Sequence, residues 1–369
     1  MRKIRVFIID DAAAMRRLIA EALAADAELE IAGSAENGRV ALDRIPHARP
    51  DVLVLDLEMP VMGGLEMLAE LRRLHPGLPV IVFSSDTRPG AEATLDALWL
   101  GAGDYVTKSH AHSPAQAVRH IHAELVPRIK ALCASRLPAA AAATRPGPKG
   151  ARAAARTAPM PSRPRTPRAG PIQVLAIGAS TGGPNALGTL LPALSHDLPV
   201  PIVIVQHMPP LFTRFLAERL SAKGVLPVRE AADGDELAPG QAWIAPGDFH
   251  MRLELAGASV RVKLDRGAHV NSCRPSVDTL FESVAEVFGG AALGVVLTGM
   301  GQDGLKGCER LVAAGSRVLA QDEASSVVWG MPGMVARAGY ADRILPLDRI
   351  AAEILQRVSR DRTPRRKAA

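Results

Sequence analysis

The chain has 369 residues, of which 48% are hydrophobic and only 3% aromatic, so it is long enough for two domains with aliphatic cores. No apolar run approaches the roughly 18 residues of a membrane helix, and the first three residues lead into a strand rather than a signal peptide, so we expect a cytoplasmic protein without membrane insertion. The net charge of +6 is concentrated in residues 134–170, with eight basic and no acidic residues, and 357–369, with six basic and one acidic; the rest is therefore net acidic, which argues against a nucleic-acid partner.

From residue 4 to about 133, short apolar runs alternate with amphipathic stretches. This alternation predicts right-handed βαβ units around a parallel sheet of five strands and five helices. The expected strands are Ile4 to Ile9, Leu29 to Ala32, Val52 to Leu55, Val80 to Phe83 and Tyr105 to Thr107.

Polar residues follow four of these strands. Asp10 and Asp11 follow the first, Asp56 the third, Ser84 the fourth and Lys108 the fifth. The carboxyl ends of parallel strands form the ligand crevice of such a sheet, so these side chains should converge.

Three converging carboxylates repel one another unless a cation neutralises them, and hard oxygen ligands with room for water suit Mg²⁺. Such an ion would bring a phosphoryl donor to one carboxylate, and Lys108 with Ser84 could hold the attached oxygens. The alternative is that Asp10 and Asp11 merely cap the next helix.

Residues 1–125 therefore resemble a response-regulator receiver domain. The resemblance implies phosphorylation of one aspartate, Mg²⁺ bound by three carboxylates, and a phosphoryl group donated by a chemotaxis histidine kinase. The implied roles are Asp56 as phosphoacceptor, Asp10, Asp11 and Asp56 as metal ligands, and Ser84, Tyr105 and Lys108 as the switch set. Lys108 is followed by Ser109, where the family usually has proline.

Residues 126–170 are rich in Ala, Pro and Arg and are interpreted as a linker, and residues 357–369 as a basic tail. A membrane or nucleic-acid tether is the alternative for the linker. The three cysteines, Cys133, Cys273 and Cys308, match no metal-binding spacing and are expected to be buried or inert thiols.

A second α/β pattern, residues 171–356, begins with an apolar run that ends in Gly178-Ala-Ser180-Thr-Gly182. This sequence matches a nucleophile elbow, in which flanking glycines allow a sharp strand-to-helix turn that exposes the serine oxygen. Amide groups at the following helix would face developing negative charge. A phosphate-binding loop or a plain turn is the alternative, although no Lys-Ser or Lys-Thr pair follows the glycines.

Two further polar residues lie past buried strands of this pattern. His207 follows the run that begins at Ile202, and Asp303 follows the run from Leu293 to Thr298. With Ser180 they predict a catalytic triad at the carboxyl edge of a doubly wound, mostly parallel sheet. Individually, His207 could be an ordinary loop residue and Asp303 a turn or cap residue. An α/β-hydrolase would need His250 or His269 as its base, because its histidine follows its acid.

The chain order and motifs of this region resemble the catalytic domain of chemotaxis protein-glutamate methylesterases. The motifs are Gly178-Ala-Ser-Thr-Gly-Gly-Pro, Gln206-His-Met, Arg274-Pro-Ser-Val-Asp278, Thr298-Gly-Met-Gly-Gln-Asp-Gly304 and Gly330-Met-Pro. The resemblance implies hydrolysis of glutamate γ-methyl esters on methyl-accepting chemoreceptors, deamidation of receptor glutamines, and an oxyanion hole at Thr181 and Met300. No cofactor is expected for ester hydrolysis, in keeping with an expected lack of a metal-ligand cluster in residues 171–356.

Two other functions remain open at this stage. A small-molecule esterase would be distinguished by its failure to release methanol from methylated receptor. A transcriptional output would require a helix-turn-helix with basic recognition residues. A scaffold would have no use for a catalytic triad. We also expect the unphosphorylated receiver to fold back over Ser180 and inhibit, and phosphorylation to relieve that inhibition.

Overall fold

The computed structural model describes residues 2–85, 87–108, 113–134, 170–195, 197–224 and 226–360. The predicted departure at Ser109 and most of the predicted linker and tail therefore lie outside the described residues. Within the described ranges, no helix combines the length and apolarity that crossing a bilayer requires.

The N-terminal half, residues 2–134, contains a five-stranded parallel sheet in the order β2-β1-β3-β4-β5. Five helices connect and cover the strands, which confirms the predicted (βα)₅ fold. The strands are β1 (Ile4–Ile9), β2 (Leu29–Ala35), β3 (Val52–Leu55), β4 (Val80–Ser84) and β5 (Asp104–Thr107). The helices are α1 (Ala13–Ala24), α2 (Gly38–Ala48), α3 (Gly64–Leu74), α4 (Arg88–Trp99) and α5 (Pro114–Cys133).

Helix α5 extends beyond the boundary predicted at residue 125. Ser113 caps its first turn by accepting a hydrogen bond from the Gln116 amide. Leu125, Val126 and Ile129 are buried on one face of the helix. The predicted start of the linker thus falls inside a packed helix that ends at Cys133.

The C-terminal half, residues 170–360, contains a seven-stranded parallel sheet in the order β14-β13-β12-β6-β7-β9-β8. Its strands are β6 (Val174–Ala179), β7 (Ile202–Gln206), β8 (Val228–Glu230), β9 (Ala242–Ile244), β12 (Ala292–Val296), β13 (Arg317–Gln321) and β14 (Arg343–Leu345). A separate antiparallel hairpin consists of β10 (His250–Ala256) and β11 (Ser259–Asp265). The helices are α6 (Gly183–Leu190), α7 (Phe212–Lys223), α8 (Val277–Phe288), α9 (Leu305–Ala313), α10 (Met331–Arg337) and α11 (Leu347–Arg360).

The last of these helices contains the first residues of the predicted basic tail. Arg357 is buried and forms ion pairs with Glu353 and Asp342. The boundary predicted at residue 357 therefore also falls inside an ordered helix.

The chain order reverses at the centre of the larger sheet. Strand β6 pairs with β7 on one side and with β12 on the other. Ligand sites of open α/β sheets lie at such a switch point, outside the carboxyl ends of the strands. Ser180, His207 and Thr298 follow these three strands directly or within two residues.

The two halves pack against each other through α4 and β5 on one side and α6 and α7 on the other. One apolar cluster includes Leu98 and Tyr105 of the N-terminal half together with Phe212 and Leu216 of the C-terminal half. The Tyr105 and Phe212 rings are stacked, with centroids 4.9 Å apart. The N-terminal half is thereby placed over the turn that carries Ser180.

Candidate active site

Ser180 lies on a tight turn between β6 and α6. The β6–β7 register pairs Ala179 with Gln206, which makes Ser180 and His207 the next neighbours. The turn closes through a 2.7 Å hydrogen bond from the Gly183 amide to the Ser180 carbonyl. Gly182 has a φ of +77°, a conformation that glycine adopts without strain. The predicted nucleophile is therefore displayed at the strand end.

Asp303 is buried and holds the His207 ring. Asp303 Oδ2 lies 2.8 Å from His207 Nε2 and also accepts from the Val277 amide at 2.6 Å. The other oxygen, Oδ1, accepts from Asn271 Nδ2, Ser276 Oγ and the Asp278 amide. Burial alone would raise the pKa of Asp303, but the hydrogen bond and charge of His207, with the other donors, lower it to about 2. The carboxylate is thus ionised and fixed.

The remaining ring nitrogen of His207 faces a cysteine. Nδ1 lies 3.6 Å from Cys273 Sγ, and no hydrogen bond joins Ser180 Oγ to the ring within the described structure. Burial disfavours the charged ring, but the hydrogen bonds to Asp303 and Cys273 raise the pKa of His207 to about 10. In this arrangement the ring is a cation at neutral pH, so it has no free lone pair for a serine proton.

The raised pKa makes a stability prediction. The pKa of His207 is about 10 in the folded protein, against an ordinary value of 6.5. Protonation of the ring therefore contributes its full stabilisation of the fold at pH values below the ordinary pKa, and this contribution is lost as the pH rises through the folded-state pKa. The melting temperature of the wild type should exceed that of His207→Gln most at about pH 6, and the gap should narrow by about pH 9.

Thermal unfolding of the wild type and His207→Gln across this pH range measures the difference between their melting temperatures. The pH dependence of titratable groups that both proteins share cancels in this difference. A His207→Gln gap that stays constant with pH would contradict the charged state of the buried ring.

The predicted oxyanion-hole residues are covered by the N-terminal half. Thr181 Oγ1 donates a 2.6 Å hydrogen bond to Asp104 Oδ2 at the start of β5. Met300 packs against an apolar cluster that contains Leu132 of α5. The side chains of both predicted residues are therefore held by the N-terminal half, whereas their backbone amides make no hydrogen bond within the described residues.

Several site residues were missed by the sequence reasoning. Asn271 and Ser276 orient Asp303, and Asp278 accepts from Asn271 Nδ2 and the Gly307 amide. The motif from Arg274 to Asp278 contains Ser276 and Asp278 and could have indicated these two residues, but the sequence alone assigned it no role.

One expectation about metal-ligating groups is wrong, and it involves a thiol. Cys273 is only partly buried and contacts the catalytic histidine candidate. His207, Cys273 and Asp303 each place one donor atom within 4.8 Å of the others, so residues 171–356 do contain a cluster of metal-ligating groups. The spacing of these residues in the sequence could not reveal the cluster, because the three residues come from loops that are far apart in the chain.

A second cluster lies at the carboxyl edge of the smaller sheet. Asp10, Asp11 and Asp56 also place donor oxygens within 4.8 Å of one another. Lys108 Nζ lies 2.7 Å from Asp56 Oδ2 and 3.4 Å from Asp10 Oδ2. Burial raises the pKa of both Asp10 and Asp56 in spite of this lysine. Among the described residues, the buried Asp10 Oδ2 has Lys108 as an ion-pair partner but accepts no hydrogen bond, and the three carboxylates together fit a hard divalent cation.

The other predicted switch residues connect this cluster to the interface between the halves. Ser84 Oγ donates to the Gly90 carbonyl in the first turn of α4, at 3.1 Å. Lys108 follows β5, which carries Asp104 and Tyr105 to the C-terminal half. Movement of Ser84 toward Asp56, or of Lys108 out of its present contact with Asp56, therefore acts on elements that contact α6 and α7.

Comparison with known proteins assigns both halves to known families. Residues 175–354 match the family model described as CheB methylesterase, and residues 6–118 match the response regulator receiver domain. A protein-glutamate methylesterase/protein-glutamine glutaminase of Trichodesmium erythraeum is 47% identical over 97% of this chain and 100% of its own length. A protein of the same name from Nocardioides is 45% identical over 98% of this chain and 97% of its own length.

A solved structure is similar to the C-terminal half. The crystal structure of the Thermotoga maritima CheB methylesterase catalytic domain is 43% identical, covers 50% of this chain and 98% of its own, and has a TM-score of 0.50. That domain was crystallised without a receiver, so the corresponding half of a relative folds by itself.

Proposed function

The chain belongs to the family of protein-glutamate methylesterases/protein-glutamine glutaminases with an N-terminal receiver domain, and from this premise we propose that Ser180, His207 and Asp303 hydrolyse glutamate γ-methyl esters of chemoreceptors. The observation that carries the proposal is the buried 2.8 Å contact between Asp303 and His207 beside the Ser180 turn. The names of the relatives support protein-glutamate methyl esters as the substrate class, and the choice of chemoreceptors as the carriers of these esters is part of the proposal.

The reaction is an acyl transfer in two halves. Since Asp303 holds Nε2, Nδ1 is the nitrogen left to take the Ser180 proton once the ring is neutral and turned from Cys273. Ser180 Oγ then bonds to the ester carbonyl carbon, and the amides of Thr181 and Met300 stabilise the oxyanion. His207 protonates the departing methanol, and water cleaves the acyl-enzyme by the reverse transfers. A receptor glutamine would react in the same way with ammonia as leaving group.

The N-terminal half supplies control. We propose that Asp56 accepts a phosphoryl group from a chemotaxis histidine kinase, and that Asp10, Asp11 and Asp56 would hold Mg²⁺, which neutralises charge during that transfer. Ser84 and Lys108 would then bind the phosphoryl oxygens.

The packing of the two halves suggests how the unphosphorylated receiver inhibits. Asp104 binds the Thr181 hydroxyl, and its carboxylate is also 3.4 Å from Arg128. Movement of Ser84 away from the Gly90 carbonyl would disturb α4, and transfer of Lys108 from the Asp56 carboxylate to the phosphoryl oxygens would shift the end of β5. Release of these elements would uncover the Ser180 turn and admit a receptor helix.

The proposal is tested by incubating the full chain with methyl-labelled receptor membranes, with and without acetyl phosphate and Mg²⁺. Methanol release that increases with acetyl phosphate supports the assignment. A protein that hydrolyses small esters but releases no methanol from receptor would instead be a small-molecule esterase, and one that does neither would favour a scaffold role.

Asp303→Asn is expected to retain more activity than a variant without Ser180, because the acid only orients and stabilises the histidine. The residual rate should exceed that of Ser180→Ala by roughly tenfold to a hundredfold. The melting temperature should also fall, because one oxygen that accepts hydrogen bonds is replaced by a donor amide facing the Val277 amide and His207.

Methanol release and thermal unfolding, measured on the same preparations, separate the two effects. Asp322→Asn, which alters another aspartate that accepts local hydrogen bonds, is the control. An Asp303→Asn protein as inactive as Ser180→Ala, yet fully stable, would contradict the orienting role.

A further inference from the structure

The contact between His207 and Cys273 brings together two side chains that could serve as two of the four ligands of a metal ion. Cys273 lies in the loop between β11 and α8, where reciprocal backbone hydrogen bonds with Val270 fix its position. Its Sγ is 3.6 Å from His207 Nδ1 and 3.4 Å from the Asn271 carbonyl oxygen. The loop thus holds a thiol against the histidine ring.

The separation matches what zinc requires. Zinc bonds are about 2.0–2.1 Å to histidine nitrogen and about 2.3 Å to cysteine sulfur, and at a tetrahedral angle these bonds place the two ligand atoms about 3.6 Å apart. The observed 3.6 Å between Nδ1 and Sγ therefore needs little movement to accept the ion.

The outer shell of such a site is also present. Metal-binding histidines commonly donate their other ring N–H to a carboxylate, which fixes the ring and makes it a better ligand. Asp303 takes this position at 2.8 Å from Nε2, and is itself held by Asn271 and Ser276. The ring is oriented so that Nδ1 points to the thiol.

An ion can reach the pair from solvent. The His207 side chain is 13% exposed, and Cys273 is partly exposed whereas Cys133 and Cys308 are buried. Water and the Asn271 carbonyl can complete a four-coordinate ion.

We propose that His207 Nδ1 and Cys273 Sγ bind a thiophilic divalent cation, with Zn²⁺ as the preferred ion, and that this ion inhibits the enzyme. Binding releases the thiol proton and the Nδ1 proton to solvent, and the metal then occupies the Nδ1 lone pair, so Ser180 loses its proton acceptor. The inhibitory effect rests on the proposed role of His207 as base, whereas the binding itself does not.

The test uses the full chain, freed of metal and then supplied with excess Mg²⁺ for the acidic cluster of the N-terminal half. Co²⁺ serves as a probe, since a cysteine-bound Co²⁺ gives a thiolate charge-transfer band in the near ultraviolet. The wild type and the matched control Cys133→Ala, which also lacks one thiol, should show the band, and Cys273→Ala should lack it.

Inhibition is measured separately as methanol release against Zn²⁺ concentration. Half-inhibition in Cys273→Ala should need at least about tenfold more Zn²⁺ than in wild type and Cys133→Ala. A Co²⁺ adduct of the wild type without the band, or equal Zn²⁺ sensitivity of all three proteins, overturns the proposal. If no protein releases methanol but the band depends on Cys273, the metal site stands and the proposed function fails.

Discussion

Ser180→Ala is expected to abolish ester hydrolysis, with kcat lowered by roughly 10³- to 10⁶-fold, while the fold persists. Loss of the nucleophile leaves only the oxyanion-hole amides and substrate binding to assist water. The turn should survive, because it is held by the backbone: the Ser180 amide donates to the Thr298 carbonyl at 3.1 Å, and its own carbonyl accepts from Gly183.

The measurement is methanol release from methylated receptor by purified protein, with thermal unfolding on the same samples. Ser259→Ala removes a hydroxyl from the distant β11 strand, where it donates to the Ala256 carbonyl, and should leave activity unchanged. Adding Asp303→Asn to Ser180→Ala should cause no further loss, since the residues act as a unit. Near-normal methanol release by Ser180→Ala would remove Ser180 from the mechanism.

The parts of this protein that follow from local pattern were accessible from the sequence. Apolar runs alternating with amphipathic stretches predicted the five strands of the smaller sheet and the three central strands of the larger one, β6, β7 and β12, because buried parallel strands and their covering helices impose distinct periodicities. Placement of Ser180, His207 and Asp303 past strand ends follows from the same logic, since every parallel strand delivers its next residue to one edge.

The parts that depend on distant loops were not accessible. The position of the Asp303 carboxylate is fixed by hydrogen bonds from Val277, Ser276 and Asn271, which reach it only in three dimensions. The position of Cys273 beside His207 likewise depends on how the loop between β11 and α8 folds in three dimensions. The domain boundaries predicted at residues 125 and 357 fall inside helices, because buried residues such as Val126 and Arg357 continue the helical packing beyond them.

The last prediction concerns the interface between the two halves. Because this interface covers the Ser180 turn, weakening it should expose the turn to substrate. Trp99 at the end of α4 is a suitable target. Its ring lies beneath two cations of α7, with Lys223 Nζ 3.8 Å and the Arg219 guanidinium 5.3 Å from the ring centroid. It also packs on Gly188 of α6, where an added Cβ would lie 2.9 Å from the indole nitrogen.

Trp99→Ala should therefore raise methanol release by the unphosphorylated protein. Loss of a central interface tryptophan commonly costs about 2 kcal/mol or more, and each ~1.4 kcal/mol changes the closed-to-open ratio tenfold. An increase of roughly tenfold or more is expected where the closed form predominates. Leu74→Ala, which truncates an exposed leucine at the end of α3, should change nothing.

The same comparison includes residues 165–369 alone, because the related Thermotoga maritima catalytic domain was crystallised without a receiver. This fragment should match or exceed Trp99→Ala and should not respond to acetyl phosphate with Mg²⁺, whereas the full chain should. Tethering sustains the inhibition, since a linked receiver faces the Ser180 turn at high effective concentration even when its contacts are weak. If the fragment is no faster than the unphosphorylated full chain, occlusion is wrong, and activation by phosphate must arise from contacts that only the phosphorylated receiver makes.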